Sequence, residues 1–103
     1  KASAAPSSTT ATASELAEQN NLFAAALAAR RQGRNAEALQ ILDTLRGRHP
    51  NGTLSESVYA ERLKILARTD KAQARLAARE YIKKHPGGPS THEAALLLEQ
   101  DVP

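Results

Sequence analysis

Three observations predict an all-α chain of five helices, folded as antiparallel hairpins stacked side by side. The first is composition. From Thr12 to Gln100 the chain is rich in Ala and Leu with abundant Arg, Lys and Glu, all strong helix formers. Phe occurs once and Tyr twice, without Trp, so the aromatic and β-branched residues that a sheet requires are scarce. The second is internal repetition. A shift of 36 residues pairs Ala24 with Ala60, Leu27 with Leu63, Ala36 with Ala72 and Ala38 with Ala74. The same shift superposes His49-Pro50-Asn51-Gly52 on His85-Pro86-Gly87-Gly88, and an offset kept across two helices and a turn marks a true repeat. The third is that these two segments place Pro and Gly where a helix must stop and the chain must turn.

Each element has its own justification. The opening Ala/Ser/Thr/Pro tract, residues 1–13, offers no large apolar side chain to offset its ordering entropy, and reads as a linker with order at most in its last residues. Helix one, 13–32, starts at a capping box of Thr12 with Glu15, and Leu16, Phe23 and Leu27 share one of its faces. Helix two, 36–48, begins at Asn35 as N-cap and carries Ala38, Ile41, Leu42 and Leu45 as its stripe. Helix three, 54–68, is assigned a box of Thr53 with Glu56. Helix four, 71–84, follows Asp70 with Gln73 and presents Ala74, Ala77, Ala78, Tyr81 and Ile82. Helix five, 91–100, follows Ser90 with Glu93 and presents Ala94, Ala95, Leu97 and Leu98; Leu96, Leu97 and Leu98 cannot all face inward. The short connections at Gly33–Asn35 and Thr69–Asp70 force antiparallel neighbours. Residues 101–103 read as a flexible end. Neither hairpin can cover its own apolar stripe, and stacking supplies the missing cover.

The second helices resemble the tetratricopeptide signature, in which a small residue at the turn is followed at set steps by Ala, two core residues and Pro. Gly33, Ala38, Leu42, Leu45 and Pro50 fit it, and Thr69, Ala74, Ala78, Tyr81 and Pro86 fit it again. The likeness covers about two and a half units, residues 14–100, and implies a short right-handed superhelix of the tetratricopeptide kind. In the first helices the chain departs from the family. Leu22, Ala25–Ala26 and Ala29, then Val58, Glu61–Arg62 and Ile65, stand where it carries an aromatic, a Leu-Gly pair and a Tyr. Arg62, in the place of a small residue, is expected to hold the second hairpin open. The irregularity is like that of bacterial envelope and regulatory proteins.

The resemblance also implies a function: a non-catalytic module that docks a peptide or helix of a partner protein in a groove lined by first helices. Carried over position by position, the groove takes Asn20, Phe23, Leu27, Arg30 and Arg31 from the first helix. Glu56, Tyr59, Leu63 and Leu66 come from the third helix, and His92 and Ala95 from the last. Two aromatics flanked by Arg suit a partner bearing apolar and acidic side chains. The opposing reading makes Phe23 and Tyr59 core residues between first helices. The alternative functions are self-association through the exposed side of the last helix and, with less support, nucleic-acid binding.

Other chemistry finds little support. The net charge of +3 is spread over mixed signs, with Arg30, Arg31, Arg34, Arg46 and Arg48 making the first half the more basic. Three aromatics are too few for a single-strand binder. There is no Cys, and His49, His85 and His92 lack the acidic companions of a metal site. The expectation is no cofactor and no metal, with His49 and His85 meeting the carbonyls at their helix ends. No base-and-acid arrangement accompanies the serines, no phosphate-cradling loop occurs, and no apolar run reaches the ~20 residues of a membrane span. A first residue other than Met suggests a piece of a longer protein. The tether's composition is common after a membrane anchor, which favours a periplasmic or cell-envelope position over a cytoplasmic one.

Overall fold

A computed structural model describes residues 12–99. The linker expected over 1–13 lies outside the described residues as far as residue 11, and the end at 101–103 lies wholly outside them. The described chain is five helices: α1 (Ala13–Arg31), α2 (Asn35–Arg48), α3 (Ser55–Thr69), α4 (Lys71–Lys84) and α5 (Thr91–Glu99). Each α-helix packs on the next in order, α1 on α2, α2 on α3, α3 on α4 and α4 on α5, as stacked hairpins require.

Local chemistry sets the ends. Thr12 and Glu15 close the expected capping box on α1, and the Asp70 side chain accepts from Gln73 N–H at the start of α4. Two expected caps are absent. Arg34, not Asn35, is the N-cap of α2, and Leu54, not Thr53, that of α3, neither with a side-chain bond. At α2 the reason is the end of α1. Gly33, at φ 80°, donates to the Arg30 carbonyl and Arg34 N–H donates to Ala29, a Schellman closure that fixes the backbone before a cap can form. At α3 the Gly52 carbonyl accepts from Ser55 N–H, while the Glu56 side chain is drawn away to Tyr81.

The repeat reappears in the hydrogen bonds of its turns. His49 and His85 both follow their helices with φ near −135° and −132°. Gly52 donates to His49 as Gly88 does to His85, and Ser55 donates to Gly52 as Thr91 does to Gly88. Pro86 followed by Gly87 at φ 82° meets the requirement of a type II turn for a left-handed third residue.

The core is two clusters bridged by one residue. Ala26 and Ala29 of α1, Ala38, Leu42 and Leu45 of α2, and Val58 and Ile65 of α3 form the first. Ala60, Leu63 and Leu66 of α3, four residues of α4 including Tyr81, and Ala94 and Leu97 of α5 form the second. Leu39 packs against both. Thus α3 contributes opposite faces to two cores, which is how a stack shares cover between hairpins. On α1 the expected stripe is corrected. Its buried residues are Gln19, Ala26 and Ala29, whereas Leu16, Phe23 and Leu27 are only half-buried. The last helix divides its three leucines, with Leu97 buried, Leu98 packed at the core margin and Leu96 42% exposed.

Arg62 does not hold the second hairpin open, for α3 and α4 pack along one another. Its guanidinium leaves the seam and reaches Asp43 of α2 and Glu80 of α4, each at 3.2 Å. Arg46 completes an alternating quartet, at 3.1 Å from Asp43 and 3.2 Å from Glu80. A large side chain is tolerated because it runs outward to paired charges.

Candidate functional site

The first helices of the two hairpins meet at one ion pair, Arg30 Nε to Glu61 Oε2 at 2.6 Å. The Arg30 Nε–H is not aligned for a hydrogen bond, so the contact is electrostatic. Residues three, four or seven positions from this pair lie on the same strip of each helix. Of these, Ala26, Val58 and Ile65 are buried in the core. Those that keep surface are Phe23 and Leu27 on α1, flanked by Asn20 and Arg31, and Ser57, Lys64 and Arg68 on α3. Phe23 and Leu27 are half-buried and Asn20 and Arg31 exposed, with Phe23 resting on the first core cluster. Ser57 is half-buried, and Lys64 and Arg68 are exposed. Arg31, Lys64 and Arg68 form no ion pair among the described residues. The strip is a partly apolar floor carrying three unmatched cations.

The expected contributions of α3 lie elsewhere. Leu63 is 0% exposed and Leu66 5%, so neither has surface to offer a ligand, and both are core residues. Glu56 accepts a 2.5 Å hydrogen bond from Tyr81 Oη. Tyr59 is half-buried on another side of α3, with the Arg46 guanidinium 5.5 Å from its ring centroid and the His85 ring edge-on at 5.5 Å. On α5, His92 is exposed and Ala95 half-buried, in line with Glu56 and Tyr59 rather than with Ser57.

The cause is a register difference between first helices. His49 Nε2–H donates to Glu18 at 2.8 Å, across 31 residues, whereas His85 meets Ser55 at 3.1 Å, across 30. The two histidines are 36 apart, so Glu18 and Ser55, which do the same work, are 37 apart. Burial agrees: buried Ala26 and Ala29 correspond to buried Leu63 and Leu66, also at 37. The extra step comes from the connections, residues 32–34 in the first hairpin against Asp70 alone in the second. One residue of slip turns a helix by about 100°, which carries a predicted groove residue into the core. The true counterparts of Asn20, Leu27 and Arg31 are Ser57, Lys64 and Arg68. Unequal loop length was the signal that could have found them.

The histidines also depart from expectation. Neither caps its own helix by side chain; each ties the end of a second helix to the start of the first. Ser55 Oγ donates to the Pro50 carbonyl at 3.1 Å, so its one hydroxyl hydrogen is used and it accepts from His85 Nε2–H. That polarity is the reverse of a nucleophile activated by a base. Among the described residues no group of His, Cys, Asp and Glu is arranged to hold a metal ion, and no helix is long and apolar enough to cross a membrane.

Stacked antiparallel hairpins, small residues at the tight crossings and a first-helix face open to solvent define a helical repeat protein of the tetratricopeptide class. The sequence matches the family described as YfiO, outer membrane lipoprotein, over residues 16–100, and the chain belongs to that family. Neither a curated protein nor a solved structure matches it.

Proposed function

We propose that the chain is a non-catalytic docking module, acting at the outer membrane as the family's description implies, and that it receives a partner protein on the first-helix face. The observation that carries this reading is the pairing of half-buried Phe23 and Leu27 with the unmatched cations Arg31, Lys64 and Arg68. Apolar anchors supply affinity when they are desolvated, and rim charges select and orient the partner. The matching segment is a helix or extended peptide with apolar side chains along one strip and carboxylates toward the loop end of α1 and α3. Arg30 takes no direct part, because Glu61 already neutralises it.

A photo-crosslinking residue placed in the intact protein at Leu27 or Lys64 is expected to trap a partner in the cell envelope. The same residue at Leu76, 49% exposed on α4, is expected to trap none. Equal trapping from both faces would remove the docking assignment. Combining Phe23→Ala with Leu27→Ala should abolish capture while the helical circular dichroism persists.

A further inference from the structure

A cavity of about 290 Å³ opens where α4 meets the Tyr59 side of α3, lined by Tyr59, Glu80, Lys83 and Lys84. Tyr59 is two residues from both Ser57 and Glu61, which turns it away from the docking face proposed above. We propose that this cavity is a phosphate-binding site, taking the phosphate of a small polar ester or of a phospholipid headgroup.

Charge is the first argument. Glu80 is the one acid in the lining, and it is held by both Arg46 and Arg62 at 3.2 Å. Asp43 balances the second of those guanidiniums, so Lys83 and Lys84 remain as two uncompensated ammonium groups. The donors are the second argument. Lys84 Nζ gives one hydrogen to Asn51 Oδ1 at 2.8 Å and keeps two, since an ammonium carries three. Lys83 Nζ and Tyr59 Oη have no hydrogen-bond partner among the described residues. Three donors on one cavity, two of them cationic, match an oxyanion with several acceptor oxygens. Size and ring contacts select within that class. The volume is at the lower edge of small-molecule pockets, ~300 Å³, and the Tyr59 ring is already engaged by Arg46 and His85. A headgroup-sized ester fits better than a nucleotide that must stack its base.

The test follows the Tyr59 ring and Lys84 resonances of the whole protein during titration with inorganic phosphate and glycerol phosphate, against chloride at matched ionic strength. A parallel arm measures co-flotation with phosphatidylglycerol vesicles. The variant combines K83Q and K84Q, with circular dichroism as the check on folding. Saturable shifts confined to this cavity, weakened about tenfold in the variant as two partly exposed charges are lost, establish a site for free phosphate esters. Flotation that the variant loses, without a response to the soluble probes, assigns the phosphate to lipid headgroups. Shifts spread over all basic residues, binding unchanged in the variant, or no response in either arm would each overturn the proposal.

Discussion

The Tyr81 phenol is 0% exposed, and its two hydrogen bonds determine how it responds to substitution and to pH. Its Oη donates to Glu56 Oε2 and accepts from Ser90 N–H at 2.9 Å, so one atom joins α4 to the starts of α3 and α5. The space beside it is full: a Cβ on Gly88 would collide with that hydroxyl. Tyr81→Phe keeps the ring but strands a carboxylate and an amide, an expected loss of ~1–3 kcal/mol in urea denaturation. Burial, then the Glu56 carboxylate, push the Tyr81 pKa above its ordinary 10.0. The folded state therefore holds this proton more tightly than the unfolded chain does. The corresponding stability is complete below pH 10.0 and declines as pH rises through and beyond that value, because the unfolded phenol ionises first. The measurement is the difference between parent and Tyr81→Phe, which removes every contribution common to both. That difference should shrink with rising pH above 10.0, and a constant difference would contradict the burial argument.

At the scale of the helix, the stops and two of the caps were legible in sequence, whereas the caps of α2 and α3 and the faces of the first helices were not. The stops at His49-Pro50 and His85-Pro86, and the caps at Thr12 and Asp70, are settled by residues within one turn of each other, so spacing alone located them. Which side of α3 meets solvent depends instead on how far α3 is rotated relative to α1. That rotation follows from the unequal connections at 32–34 and Asp70, a property of two hairpins together. Leu27 and Leu63, paired by the 36-residue shift, consequently have opposite environments: half-buried on an open face, and 0% exposed between α3 and α4. Leu63→Ala is expected to cost ~2–5 kcal/mol, the usual penalty for emptying a packed site. Leu27→Ala is expected to cost about 1 kcal/mol or less, as at a partly solvated position. Similar losses from both in chemical denaturation would return the two leucines to equivalent positions and undo the register assignment.

For the whole molecule the question is whether such a stack continues by adding copies of itself. A repeat array grows only if its terminal face offers an apolar seam. On α5, His92 and Glu99 stand 36 residues beyond Glu56 and Leu63, the positions through which α3 receives α4. Both are exposed, so a further helix docked there would bury a carboxylate where α3 buries a leucine. At the other end, the register of 37 sets Asn21 and Ala28 in the places of Val58 and Ile65, the residues by which α3 meets α2. Asn21 is exposed, and this seam too lacks a large apolar side chain. The exposed large apolar residues among those described are Leu76 at 49% and Leu96 at 42%, on different helices. Isolated leucines of this kind are ordinary on a monomer. Self-association, the alternative raised by the run of leucines in α5, is therefore opposed by charge at the seam it would use. Sedimentation from dilute to concentrated solution is expected to report one monomeric species. Replacing His92 and Glu99 together by leucine should supply the missing seam and make the sedimentation coefficient rise with concentration. A parent protein that dimerises, and still does so after Leu96→Glu, would place its contact away from α5.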